Sequence, residues 1–146
     1  MTDTDISLKT YFMLERLYCV DQTKYQECVA KDLTKFLPIV YTPTIGMICQ
    51  MFTTLSKAEN GLVGHDGLIL RPYQKGWQKS FQLTLHERKP QVIVITDGSR
   101  ILGLGDLGIN GLPISIGKCR VYQLLGGIER VLPILVDSGT NTKDYL

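Results

Sequence analysis

ILGLGDLGINGLPISIGK, residues 101–118, is the stretch whose reading decides the fold. Gly103-Leu104-Gly105-Asp106-Leu107-Gly108 has the spacing of the glycine fingerprint that cradles a dinucleotide, and Gly111 to Lys118 approaches a phosphate-binding loop. Neither match has its context. The dinucleotide fingerprint works because a helix starts inside the motif and points its N-terminus at the pyrophosphate. Here Ile109-Asn110-Gly111-Leu112-Pro113 intervenes, Asn110-Gly111 is a turn signal, and Asp106 places negative charge where a phosphate would arrive. A phosphate loop needs four residues between its glycine and the Gly-Lys pair, then Ser or Thr for magnesium. Five separate Gly111 from Gly117, and Cys119 follows Lys118. The glycines therefore read as conformational. They let the backbone turn tightly and approach a ligand closely, between two cations, Arg100 and Lys118.

Working outward, QVIVIT (91–96) is a β-branched run of the kind buried in parallel sheets. A turn over Asp97-Gly98-Ser99 leads to a short strand expected at 100–104. A helix begins near Pro113 and is stopped by Gly126-Gly127. VLPILVD (131–137) follows as another strand. Strand, glycine loop, helix and strand form a βαβ-like unit with its ligand edge at the strand C-termini.

Upstream, Ile6, Tyr11, Leu14, Leu17 and Tyr18 predict an amphipathic helix over 6–19, and Asp21 caps a second over 22–33. Pro38 and Pro43 are expected to break helical structure in LTKFLPIVYTP, and Thr42-Pro43 to start a third helix running to about 55. Residues 57–67 read as a loop and 68–70 as a short strand. The segment 72–89 is mixed, with Trp77, Phe81, Leu83 and Leu85 offering one inward face. The expectation is an α/β fold in one domain. Helices occupy about 1–56, and a mostly parallel sheet with flanking helices occupies about 68–146.

The 146 residues, 44% hydrophobic and 21% charged, suffice for one domain with a real core. A net charge of +2 without a basic run disfavours nucleic acid as a partner. The apolar runs LPIV and VIVI fall short of a membrane span. MTDTDISLKT has neither an apolar signal core nor the character of a transit peptide, which predicts a cytosolic location. Cys19, Cys28, Cys49 and Cys119 read as small thiols rather than a disulfide or zinc framework. His65 and His86 are too scattered to suggest a metal site, and Asp97 and Asp106 read as turn and loop caps.

Three blocks in order carry a resemblance: LPIVYTPTIG (37–46), VIVITDGSRILGLGDLGINGLPISIGK (92–118) and LPILVDSGTNT (132–142). Together they resemble the N-terminal substrate domain of malic enzyme, the oxidative decarboxylase that converts malate to pyruvate. The resemblance implies that Tyr41 is the general acid that protonates the enolate of pyruvate. It implies that Arg100 clamps a malate carboxylate and that Lys118 is the general base on the C2 hydroxyl. It further implies NAD or NADP and Mg²⁺ or Mn²⁺ as cofactors of the complete enzyme, malate as substrate and a homo-oligomeric assembly. The family's acidic metal ligands and nicotinamide-binding domain match nothing in this sequence, so no metal or cofactor residue is assigned and the chain alone is expected to be inactive. A non-catalytic binding or oligomerisation module, with residues 6–35 as its contact surface, is the alternative. The family pattern G-M-G-I-P-V-G-K appears here as Gly111-Leu112-Pro113-Ile114-Ser115-Ile116-Gly117-Lys118, with proline for a glycine and serine for a proline.

Overall fold

The computed structural model describes residues 2–58 and 64–143. Four helices come first: α1 (Asp3–Val20), α2 (Gln22–Ala30), α3 (Leu33–Val40) and α4 (Thr44–Ala58). A strand β1 (Leu68–Leu70), helix α5 (Trp77–Arg88), strand β2 (Val92–Thr96), helix α6 (Leu112–Gly126) and strand β3 (Val131–Val136) follow. The three strands form one parallel sheet in the order β1-β3-β2. The β2–α6–β3 unit is the βαβ unit expected from the glycine-rich stretch and its flanks. Pro133 is tolerated in the central strand because β1 pairs with β3 only from Ile134 onward.

Aspartates set the starts of two helices. Asp21 accepts from the Lys24 N–H and begins α2, and Asp32 accepts from the Lys35 N–H and begins α3. The second cap divides the expected 22–33 helix and overrides Pro38, which lies inside α3 rather than ending it. Pro43 stands just ahead of α4, after a cis Thr42–Pro43 bond, instead of within the first turn. The expected strand at 100–104 is a tight turn closed by a single Ile101–Gly105 bridge, because glycines and a positive φ at Leu102 curl the chain back. The 57–67 loop lies partly outside the described residues; its described end is a turn.

One core cluster joins Tyr11 of α1, Ile45, Ile48 and Phe52 of α4, Leu112 and Ile116 of α6 and Leu135 of β3. A second holds Leu14, Tyr18, Tyr25, Val29 and Val40 beneath the first three helices. On the other side of the sheet, Trp77, Phe81 and Leu85 of α5 pack over Leu70, Leu132 and Ile134, while Leu83 faces solvent. By length and composition Leu33–Ser56 is apolar enough to cross a membrane, contrary to the expectation that no stretch reaches a span. In the fold it is broken at Tyr41–Pro43, and Val40, Ile45, Ile48 and Phe52 are core residues.

Candidate functional site

The C-terminal ends of β2 and β3 are joined by main-chain and carboxylate hydrogen bonds. Asp97 accepts from the N–H and hydroxyl of Ser99. Asp106 accepts from the N–H groups of Gly108 and Asn141, and its carbonyl accepts from the Thr142 hydroxyl. Both aspartates are loop caps, and these bonds hold their carboxyls below the ordinary carboxylate range. Gly98 allows the turn after β2 to meet the loop before α6. A Cβ built there would fall 2.0 Å from the Gly108 carbonyl oxygen, and its φ of +75° lies in the left-handed region.

The loop tip, Leu102-Gly103-Leu104, leans over Thr42, Pro43, Gly46, Met47 and Gln50 to form a shallow apolar groove of about 330 Å³. The corner between α3 and α4 presents Tyr41 beside this groove. On the neighbouring helix α6, the Lys118 Nζ lies 4.7 Å from the centroid of the Tyr41 ring. Gly117 makes that approach possible. A Cβ there would stand 2.9 Å from Tyr41 Cδ2, 3.1 Å from Ile45 Cγ1 and 3.2 Å from the Val40 carbonyl oxygen. Both partners are half-buried. The fold thus brings together two of the three residues singled out in the sequence, 77 positions apart. Arg100 is exposed at the foot of the glycine loop. Among the described residues, no hydrogen bond or ion pair ties its side chain to Tyr41 or Lys118.

Two residues beyond Lys118, Arg120 is fully buried. It donates through Nε to Glu15 Oε1 at 3.2 Å and through one terminal nitrogen to Glu15 Oε2 at 3.0 Å. Its other terminal nitrogen donates to Asp66 Oδ2 at 2.8 Å, and its guanidinium lies 3.3 Å from the Tyr18 ring centroid. The Tyr18 hydroxyl donates to Gln123. Burial alone would raise the Asp66 carboxyl, but the Arg120 charge outweighs it and holds that carboxyl below its ordinary value. Burial pushes up the Tyr11 and Tyr25 phenols, whose hydroxyls are enclosed in this region without a hydrogen-bond partner.

Among the described residues, the group of three or more potential metal ligands is Glu15, His65 and Asp66, whose donor atoms all lie within 4.8 Å of one another. The sequence reading leaves His65 isolated and finds no histidine near a cysteine; the fold places His65 Nε2 3.2 Å from Cys19 Sγ. Successive residues of a helix turn about 100°, so Lys118 and Arg120 point about 200° apart. The acid cluster gathered around Arg120 is therefore not next to Lys118. Among the described residues, those around Tyr41 and Lys118 include no carboxylate set suited to a hard divalent cation. The glycine loop likewise does not fit a nicotinamide dinucleotide. A 3₁₀ turn (Gly108–Gly111) separates Gly103 and Gly105 from the start of α6 at Leu112.

Residues 20–146 match the family model described as malic enzyme, N-terminal domain. A mitochondrial NAD-dependent malic enzyme 59 kDa isoform of Solanum tuberosum is 38% identical over 99% of this chain and 23% of its own length. An NADP-dependent malic enzyme of Dictyostelium discoideum is 37% identical over 99% of the chain and 26% of its own length. A chloroplastic NADP-dependent malic enzyme of Flaveria pringlei is 38% identical over 97% and 21%. The chain spans about a quarter of the length of these relatives. Their names correct the cytosolic expectation, since relatives are mitochondrial or chloroplastic proteins. The physical reason is that the polar first residues form α1, a packed helix whose composition reports on the fold and not on an address.

Proposed function

Because the chain belongs to the malic enzyme family through its N-terminal domain, we propose that it supplies the substrate-holding and proton-handling part of malate oxidative decarboxylation. The observation that carries this reading is the Lys118 ammonium held over the Tyr41 ring. In its neutral form Lys118 takes the proton from the C2 hydroxyl of malate as C2 is oxidised. Loss of carbon dioxide from the resulting β-keto acid leaves an enolate, and Tyr41 gives its phenolic proton to C3. With Lys118 beside it, the phenol is refilled from the proton that the amine has taken. Arg100, at the foot of the loop, turns its planar guanidinium onto a malate carboxylate, where two parallel N–H donors fix orientation. Oxidation at C2 would need a hydride acceptor such as NAD or NADP, and Mg²⁺ or Mn²⁺ would supply Lewis-acid stabilisation of the developing charge; no residue described here is assigned to either.

A homo-oligomer is part of the same proposal. Ile6, Met13 and Val20 of α1, exposed by 47%, 71% and 86%, recur every seven residues and so share one face of the helix. Malate titrated into the chain, followed by the NMR signals of Tyr41 and Lys118, tests the catalytic reading. Saturable shifts that Arg100→Gln weakens support it. Tight binding of NAD or ATP abolished by Gly105→Val would overturn it, and turnover of malate by these 146 residues alone would overturn the expectation that the chain is inactive by itself.

A further inference from the structure

We propose that Cys19 and His65 form a binding site for a borderline divalent cation, with zinc as its occupant. The two donors come from the last turns of α1 and from the turn before β1, 46 residues apart in sequence. Zinc takes thiolate sulfur at about 2.3 Å and imidazole nitrogen at about 2.0–2.1 Å, so two such ligands on a tetrahedral ion stand about 3.6 Å apart. Cys19 Sγ and His65 Nε2 stand 3.2 Å apart and need separate only slightly to admit the ion.

The surroundings point the same way. Arg120 occupies three of the four carboxylate oxygens of Glu15 and Asp66. The fourth, Asp66 Oδ1, is enclosed and has no hydrogen-bond partner. It lies 3.9 Å from His65 Nδ1, on the opposite side of the ring from the thiol. A carboxylate behind the second ring nitrogen of a ligating histidine fixes its tautomer and raises its basicity. A small closure would give Asp66 that role, and would partner its orphaned oxygen.

Charge favours a cation here. Glu15, Asp66 and Arg120 together carry a formal charge of −1, and a Cys19 thiolate makes −2, which one zinc ion cancels. Thiolate and imidazole select zinc over magnesium, which prefers an all-oxygen shell. Cys19 is exposed, so the ion has an entry path. Once bound, it would tie the turn at 64–67 to α1.

Calorimetric titration of zinc chloride into the chain, repeated with cobalt(II) for its sulfur-to-metal charge-transfer absorption, tests the site. One zinc per chain is expected, weakened at least tenfold by Cys19→Ser and by His65→Gln, with the cobalt band lost in Cys19→Ser. Asp66→Asn should weaken zinc binding by 10- to 100-fold, the range for an outer partner of a ligating histidine. Cys19 is exposed, so its replacement by serine should leave the melting temperature unchanged. Absence of saturable zinc binding overturns the proposal, and so does one-to-one binding that survives Cys19→Ser undiminished. Malate binding is read separately, so failure here leaves the Tyr41–Lys118 reading standing.

Discussion

Lys118 and Arg120 are two residues apart on α6 and live in opposite environments. Arg120 is fully buried between two carboxylates and the face of Tyr18, every nitrogen engaged. Lys118 is half-buried, and its ammonium lies over the ring face of Tyr41. A cation whose charge is neutralised inside the protein holds elements together. One that is half-buried over a phenol ring is, on the proposed reading, available for chemistry. The difference arises from the helical turn: α6 sends position 120 toward α1 and position 118 toward the corner between α3 and α4.

Removing the Arg120 charge tests the first half of the comparison and should have the largest effect. Arg120→Met leaves Glu15 and Asp66 as uncompensated buried acids, for a loss of about 3–5 kcal/mol of stability. Urea denaturation followed by circular dichroism measures it. A loss below about 1 kcal/mol would mean that the network relaxes into water and is not structural.

Gly117→Ala attacks the contact between the two halves of the proposed active site. The added methyl would press on Tyr41, Ile45 and the Val40 carbonyl, at a cost of about 1–3 kcal/mol for overpacking. It should also move the Tyr41 ring off Lys118, seen as loss of the ring-current shift on the lysine ε-methylene protons. An unchanged shift would show that the two helices part elsewhere.

A pH titration sharpens the first half further. Asp66 has its carboxyl held below the ordinary value, so the stability it contributes is present above about pH 4, the unfolded-chain value. That contribution falls away as pH drops through the lowered native value. At neutral pH Asp66→Asn should cost about 1–3 kcal/mol, the worth of a hydrogen bond to a charged group. Measured against the parent chain, the gap should be constant from pH 7 to about pH 5 and close in stronger acid. A gap that instead opens below pH 4 would contradict the assignment.

The two sides of α6 were unequally legible in the sequence. The β2–α6–β3 unit could be read from the QVIVIT run and the paired glycines at 126 and 127. The turn at 101–105 could not, because Ile101, Leu102 and Leu104 resemble a strand until the backbone curls at the glycines. The helix through Pro38 needed the cap at Asp32 to be weighed above the proline. Arg120, Glu15 and Asp66 were missed since they lie 105 and 54 positions apart and belong to types that ordinarily face water. A signal existed: Arg120 stands four residues after Ile116 and eight after Leu112, on the buried stripe of α6. Tyr41, Arg100 and Lys118 were singled out by family resemblance. No periodicity distinguishes a half-buried lysine at the end of a glycine loop from an ordinary surface one.

The smallest effect on stability should come from Lys118→Met, and this variant divides the comparison most cleanly. Methionine keeps most of the side-chain volume and removes the charge over the Tyr41 ring, an interaction of about 0.5–1 kcal/mol at a partly exposed site. The melting temperature should therefore move by a few degrees at most, in contrast to Arg120→Met. Malate binding should nonetheless fall, since an anion then approaches Tyr41 without the nearby ammonium. If Lys118→Met instead destabilised the fold as strongly as Arg120→Met, Lys118 would be a second structural cation and the proposed base would have to be sought elsewhere. A small change in stability with a large loss of malate response is the pattern that a cation held for chemistry must show.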